Sequence, residues 1–251
     1  MHVRILPGPE RAARAAAHRI AAAIRAQPNL VLGVAAGRTA VSVYEVLVRE
    51  FHAGRVDFSR VTAFSLDEFL GLPRSDPKSF HAFLQHYLFS RINVRRSAIR
   101  TLNGAVGDPA EECARYERTV RRAGGVDVQL LGLGTNGHIA FNEPGKCLYA
   151  WTHQARLLAE SRRANAEHFD GRIADVPRDA LTMGMGTIMA ARKIVLLATG
   201  PAKANAVGRM LSGCLTTDVP ASLLQLHPNV EVFLDQKAAS KLRNSRLAAE
   251  G

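Results

Sequence analysis

A short apolar run, V-D-V-Q-L-L at residues 126–131, breaks into G-L-G-T-N-G-H-I-A-F-N-E-P-G at residues 132–145. The run is rich in β-branched and aliphatic side chains and reads as a strand buried on both faces. That is the pattern of a parallel sheet covered by helices. Gly132, Gly134 and Gly137 end the strand and let the backbone turn where a side chain would obstruct. The turn delivers one imidazole, His138, and then one carboxylate, Glu143. In an open α/β sheet, ligands bind beyond the carboxyl ends of the strands, so this turn is the first place to look for chemistry. Gly-rich turns and loop histidines are common by themselves. The weight comes from the rest of the chain.

Strand and helix patterns alternate on both sides of this segment. Residues 3–6 suit a short strand, and residues 10–27 form an Ala-rich helical stretch with Ile20 and Ile24 one turn apart. Residues 30–35 read as a second buried strand running into A-A-G-R-T-A, which opens a helix over 39–51. A third strand over 61–66 ends in Asp67-Glu68-Phe69. Residues 79–92 carry a helical aromatic stripe, Phe80, Phe83, Tyr87 and Phe89, assigned to the core. Asp108-Pro109-Ala110-Glu111 has the cap, the first-turn proline and the acidic third position of a helix start. That helix is expected to reach Arg122.

Downstream, residues 155–159 suit a strand, and the polar stretch 161–178 is the most loop-like part of the chain and a candidate lid. A helix over 187–191, a strand over 193–198, a helix over 201–211, a strand over 230–234 and a polar C-terminal tail complete the pattern. The expected architecture is α/β. It is a single domain spanning residues 1–251, with a doubly wound, mainly parallel, Rossmann-like sheet and helices on both faces.

Composition narrows the function classes. The longest apolar runs fall short of the ~18 residues of a membrane span, and the first residues carry no apolar signal core. Cys113, Cys147 and Cys214 are odd in number, widely spaced and without a C-x-x-C pair. These features favour a reducing, cytoplasmic setting and no metal cage. The formal net charge of +11 invites a nucleic-acid reading, but the basic pairs are dispersed near helix ends. An anionic small substrate is the simpler use of the field. No nucleic-acid or membrane partner is expected, and a monomer and a homo-oligomer both remain open.

Three places besides the central turn carry possible chemistry. The turn Gly37, Arg38, Thr39 precedes a helix, where free N–H groups and the positive end of the dipole suit a phosphate. Such turns also occur simply to pack a helix closely on its strand. Asp67 and Glu68 could bind metal, act as acid and base, or cap the next segment of the chain. They face opposite sides if the strand continues. Lys203 sits in a first helical turn against the dipole preference, which makes sense if it reaches an anion.

Five segments in order, L-G-V-A-A-G-R-T-A, F-S-L-D-E-F-L-G-L, L-G-L-G-T-N-G-H-I-A-F-N-E-P-G, A-L-T-M-G-M-G-T-I-M-A-A-R-K and L-L-A-T-G-P-A-K-A, resemble the glucosamine-6-phosphate deaminase/isomerase family. The resemblance runs from about Leu30 to Leu234, and G-H-I-A-F-N-E-P-G is its most specific piece. The related 6-phosphogluconolactonases share the fold but typically lack the N-E-P-G ending. The resemblance implies that Asp67 moves a proton between C2 and C1 of the opened sugar, that His138 opens the ring, and that Glu143 orients or tunes that histidine. It places Gly37, Arg38, Thr39 and Lys203 around the substrate's phosphate, with no metal or organic cofactor. The implied partner is a small-molecule amino-sugar phosphate, converted to a ketose phosphate and ammonia.

The chain departs from the family at three positions. Asn136 stands where many members carry Asp, so an amide positions the imidazole. Arg38 occupies the phosphate turn where a small residue is usual. Glu167 aligns with an Arg that would help bind phosphate, so either Arg38 or one of Arg162 and Arg163 compensates, or the substrate differs. Residues 146–153 do not match an allosteric site, and amino-sugar allostery is not expected. The alternatives are a deaminase/isomerase acting on another amino sugar such as galactosamine 6-phosphate, a lactonase-like hydrolase, and a non-catalytic sugar-phosphate sensor. The last is disfavoured by the retained Asp67, His138 and Glu143, and by a first strand expected near residue 3 or 30, which leaves no room for a helix-turn-helix.

Overall fold

A computed structural model describes residues 1–242; the polar C-terminal tail lies largely outside the described residues. In chain order the elements are β1 (His2–Leu6), α1 (Pro9–Ala26), β2 (Val31–Val34), α2 (Arg38–His52), β3 (Thr62–Ser65), β4 (Asp67–Phe69), α3 (Phe80–Tyr87), β5 (Ile99–Arg100) and α4 (Pro109–Arg122). There follow β6 (Val128–Gly132), β7 (His153–Arg156), α5 (Ala159–Asn165), β8 (Asp179–Thr182), α6 (Met185–Met189), β9 (Lys193–Ala198), α7 (Ala204–Met210) and β10 (Val230–Asp235).

Seven strands form one sheet in the order β1-β10-β9-β6-β2-β3-β5, and every pairing in it is parallel. The chain winds outward from β2 through β3 to β5. It then returns to β6 beside β2 and winds the other way through β9 and β10. Right-handed crossovers running in opposite directions put their helices on opposite faces, so the sheet is doubly wound. The reversal between β2 and β6 is the switch point at which such sheets open a crevice. Strand β2 and most of β6 and β9 are buried, consistent with apolar runs that lack alternation.

Asp108 caps α4 by accepting the Ala110 and Glu111 N–H groups at 2.8 and 3.1 Å, with Pro109 in the first turn as expected. Several boundaries differ from the sequence pattern. The central strand begins at Val128, because Asp127 Oδ2 turns aside to accept the Val31 N–H and the Gln27 amide. The aromatic helix α3 ends at Tyr87 and continues only as a 3-10 turn, Phe89–Arg91. The strand expected over 155–159 lies at His153–Arg156, and the short helix expected over 187–191 lies at Met185–Met189. The stretch after Gly200 is first a 3-10 turn, Pro201–Lys203, and only then α7.

Two larger features escape the pattern. A second, antiparallel sheet of order β4-β8-β7 stands beside the main one. The segment 161–178, expected to be loop-like, is largely helical, with α5 followed by the 3-10 turns Ala166–Phe169 and Ile173–Asp175. Its contacts explain the order. Phe169, Ala166 and Val176 are buried with Phe69, Phe80 and Phe141 in a satellite core. The Phe69 ring lies 4.5 Å from Phe80 and 5.2 Å from Phe169. Full burial of one such ring stabilises by about 1.5–3 kcal/mol.

Candidate active site

Four adjacent strands of the main sheet, β9, β6, β2 and β3, run parallel and so end along one edge, where sheets of this kind open a crevice. Each is followed within a few residues by one singled out in the sequence: Lys203 after β9, His138 after β6, Arg38 after β2 and Asp67 after β3.

After β6 the backbone closes on itself. Gly134 N–H donates to His138 O at 3.0 Å, and Gly137 adopts φ +94°, a left-handed conformation that favours glycine. A Cβ at Gly134 would collide with the His138 ring, so that glycine makes room for the imidazole. Asn136 Oδ1 accepts the His138 N–H at 3.1 Å, and Asn136 Nδ2 donates to Glu143 Oε2 at 3.1 Å. His138 Nδ1 lies 3.5 Å from the same carboxylate oxygen. Burial works against charge on Glu143. Hydrogen bonds with His138, Ser161 and Asn136 outweigh it and hold the carboxyl below its ordinary range. Asn136 therefore serves both the backbone and the side chain of this loop.

Ser161 belongs to this cluster, and sequence reasoning gave it no role. It is fully buried on α5, and its Oγ lies 3.2 Å from His138 Nδ1. The signal for it was slight: a serine in a stretch whose polarity suggested a loop.

Asp67 opens β4, the step where the chain passes from the main sheet to the small one. It is buried, and its Oδ1 meets no hydrogen-bond partner among the described residues. Burial, and then the neighbouring Glu68 charge, push the Asp67 carboxyl well above its ordinary range. The two carboxylates diverge, as alternation requires. Glu68 accepts the N–H groups of Phe69, Phe80 and His81 at 2.8–2.9 Å and so caps the start of α3. Burial pushes Glu68 up to about 7 against those bonds. Of the uses left open for the pair, Glu68 takes the cap and Asp67 keeps a desolvated carboxyl with an unpartnered oxygen.

A frame ties Asp67 to the histidine loop. Asp67 stands opposite Thr182 in the small sheet, and Thr182 Oγ1 accepts the Phe141 N–H at 3.1 Å. Buried Asn142 donates to Met183 O at 2.8 Å and to Ile139 O at 2.9 Å. The spacing of Asp67 and the His138 loop is thus set by a hydrogen-bonded frame rather than by a free loop.

At the other end of the crevice, Gly37 takes φ +114° and its carbonyl accepts the Ala40 N–H at 3.0 Å. Thr39 and Arg38 lie in the first turn of α2. Tyr44, inside α2, donates its hydroxyl to Ala35 O at 2.5 Å and fixes the turn. Lys203 is drawn below its ordinary range by burial and by the nearby Arg38 charge, while Glu160 opposes the shift. Two cations therefore converge beside a helix N-terminus, an arrangement that suits a doubly charged anion.

The helical segment 159–176 covers this crevice and is tied to it throughout. Leu158 N–H donates to Glu143 Oε1 at 3.2 Å, and Thr135 Oγ1 donates to Glu160 Oε1 at 2.6 Å. Glu167 forms an ion pair with Arg38. Arg162 donates to the carbonyls of Ile173 and Val176, so Arg38, and not Arg162, meets the Glu167 charge. Among the described residues no cluster of three or more His, Cys, Asp or Glu side chains forms a metal cage, and no helix is long and apolar enough to cross a membrane.

Comparison with known proteins places the chain. The sequence model of the glucosamine-6-phosphate isomerases/6-phosphogluconolactonase family matches residues 9–233. A glucosamine-6-phosphate deaminase of Thermoanaerobacter pseudethanolicus is 42% identical over 247 residues, covering 98% of this chain and 97% of that protein. One from Halothermothrix orenii is 44% identical over 227 residues, covering 90% and 94%. Among solved structures, a monomeric glucosamine-6-phosphate deaminase superposes with a TM-score of 0.93 at 40% identity, covering 96% of this chain and 100% of that one. The 6-phosphogluconolactonase of Trypanosoma brucei superposes at 0.75 with 20% identity over 96% and 98% of the two chains, a likeness of fold alone. With its fold, its motifs and nearly its whole length matched, the chain belongs to the glucosamine-6-phosphate isomerase/6-phosphogluconolactonase family.

Proposed function

We propose that the protein deaminates and isomerises glucosamine 6-phosphate to fructose 6-phosphate and ammonia. The observation that carries this reading is the pairing, at one switch point, of a desolvated carboxyl (Asp67) with an imidazole anchored to a carboxylate (His138 and Glu143). Near-complete coverage by deaminases at 42–44% identity supports it. So does the N-E-P-G ending after His138.

The chemistry follows from the residues. His138 carries a proton from O1 to O5 and opens the ring, with Glu143 and Asn136 fixing the imidazole's orientation. Asp67 takes the proton from C2 and returns it to C1. A carboxyl raised by burial is a stronger base than one in water, which suits a weakly acidic carbon. The shift leaves an imine at C2. Water adds there and ammonia leaves, giving the ketose. Gly37, Arg38, Thr39 and Lys203 hold the phosphate and fix the sugar's register against Asp67. The segment 161–178 acts as a lid whose helical cover keeps water off the sugar until the proton has moved. The proposed setting is the cytoplasm, in keeping with three unpaired cysteines.

Ammonia release from glucosamine 6-phosphate, galactosamine 6-phosphate and free glucosamine, measured in parallel, tests the reading. Turnover of the first is expected. Exclusive turnover of either other sugar reassigns the substrate, and silence on all three overturns the activity.

A further inference from the structure

The ion pair between Arg38 and Glu167 joins the anion turn to the cover, and it is the feature of the site that the proposed chemistry leaves unused. Their side chains are 80% and 68% exposed, so the pair is no part of the core. Pairs this exposed are weak and easily exchanged. Its position gives it meaning. The Arg38 charge is felt at Lys203, and both cations feel a carboxylate of the cover: Glu167 pairs with Arg38, and the Glu160 charge acts on Lys203. Glu160 is further engaged by Thr135, whereas the Glu167 carboxylate turns to Arg38. The cover therefore presents to the anion turn what a phosphate presents, negative oxygens facing two converging cations.

We propose that Glu167 is a resting counter-ion, exchanged for the substrate's phosphate when Arg38 turns to bind it. The inference rests on reading the Gly37–Lys203 turn as a phosphate site. A phosphate monoester carries close to two charges and engages Arg38, Lys203 and the helix N-terminus together, whereas Glu167 offers one carboxylate to one guanidinium. Phosphate thus wins the exchange. An unphosphorylated sugar cannot release Arg38, so Glu167 sharpens the requirement for phosphate and links its arrival to release of one tie on the cover.

Titration calorimetry with inorganic phosphate tests this on the wild type, Glu167→Gln, Arg38→Ala, the double variant and Lys203→Ala. Removing the competing carboxylate is expected to tighten phosphate binding about three- to fivefold. Arg38→Ala is expected to weaken it about tenfold. In the Arg38→Ala background, Glu167→Gln is expected to give no gain, which is coupling that a merely structural role would not produce. Phosphate affinity unmoved by Glu167→Gln, or a gain that persists without Arg38, overturns the exchange while Lys203→Ala still weakens binding. If Lys203→Ala also leaves phosphate binding unchanged, or the wild type binds none, the phosphate site falls and the exchange with it.

Discussion

Glu143 Oε2 lies 3.5 Å from His138 Nδ1 and accepts the Asn136 amide at 3.1 Å, so one carboxylate oxygen gathers both partners of the loop. The other oxygen accepts the Leu158 N–H at 3.2 Å, which ties the cover to the same group. Glu143→Gln keeps the shape but replaces one acceptor oxygen by a donor and removes the charge facing the imidazole. The expected result is a loss of about 10²-fold in kcat. Steady-state ammonia release measures it. A variant with unaltered kcat would remove Glu143 from the orientation of His138.

Asp67→Asn separates chemistry from stability. Exchange of the C2 proton with solvent should fall by about 10³-fold, while substrate binding is retained. The carboxyl is raised in the folded state by burial, so its contribution to stability is complete below the ordinary Asp value and is lost as pH rises toward the native one. The amide carries no such penalty. Its melting temperature should therefore exceed the wild type's at pH 8, by about 2–4 °C per kcal/mol removed. The gap should close near pH 4, about where an unfolded Asp titrates. An Asn variant that is less stable at high pH and equal at low pH would contradict the burial argument.

Gly134 shows why the glycines of the turn matter individually. A Cβ there meets Cγ, Nδ1 and Cε1 of His138. Gly134→Ala should leave the circular dichroism spectrum unchanged, since the imidazole can swing outward. A displacement of the order of 1 Å at a catalytic group can cost about 10²-fold in rate. A comparable drop in kcat is expected, and near-normal turnover would mean that the ring does not work from this position.

Ser161 was hidden by its surroundings, and Ser161→Ala exposes its role. The variant removes the hydroxyl 3.2 Å from His138 Nδ1 at a fully buried position. The loss of one buried hydrogen bond is worth about 1 kcal/mol, and a fall of five- to tenfold in kcat is expected with little change in KM. A shift in melting temperature with kcat untouched would make Ser161 structural only.

The same residue explains where the sequence was legible. The strands Val31–Val34, Val128–Gly132 and Lys193–Ala198 announce themselves, because burial on both faces forces continuous apolar runs. Asp108, Pro109 and Glu111 announce α4, because orphan N–H groups demand a cap. The cover did neither. Its buried positions are Ser161, Ala166, Phe169 and Val176, small or widely spaced, while Arg162, Arg163 and Asn165 fill the intervals. A helix that packs through small residues leaves little hydrophobic periodicity to read. Two strands of the small sheet were equally silent, since Asp67–Phe69 and Asp179–Thr182 are too short to show alternation. The pairing of Arg38 with Glu167 joins residues far apart in the chain. Charge at the two positions was legible, but their meeting was not.

Lys203 supplies a pH test with a fixed sign. Burial, and then the Arg38 charge, lower its pKa from the ordinary lysine value, so the ammonium loses its proton at lower pH than a solvated lysine would. Each step of deprotonation removes a cation from the phosphate while leaving Asp67 and His138 in place. KM for the phosphorylated sugar should therefore climb on the alkaline side, before ordinary lysines titrate, with kcat falling less. Lys203→Ala should show the high KM at every pH, raised by about 10- to 100-fold, and a flattened alkaline limb. Lys203→Arg keeps charge to higher pH and should move the limb upward. An alkaline rise in KM that survives in Lys203→Ala would assign that titration to another group.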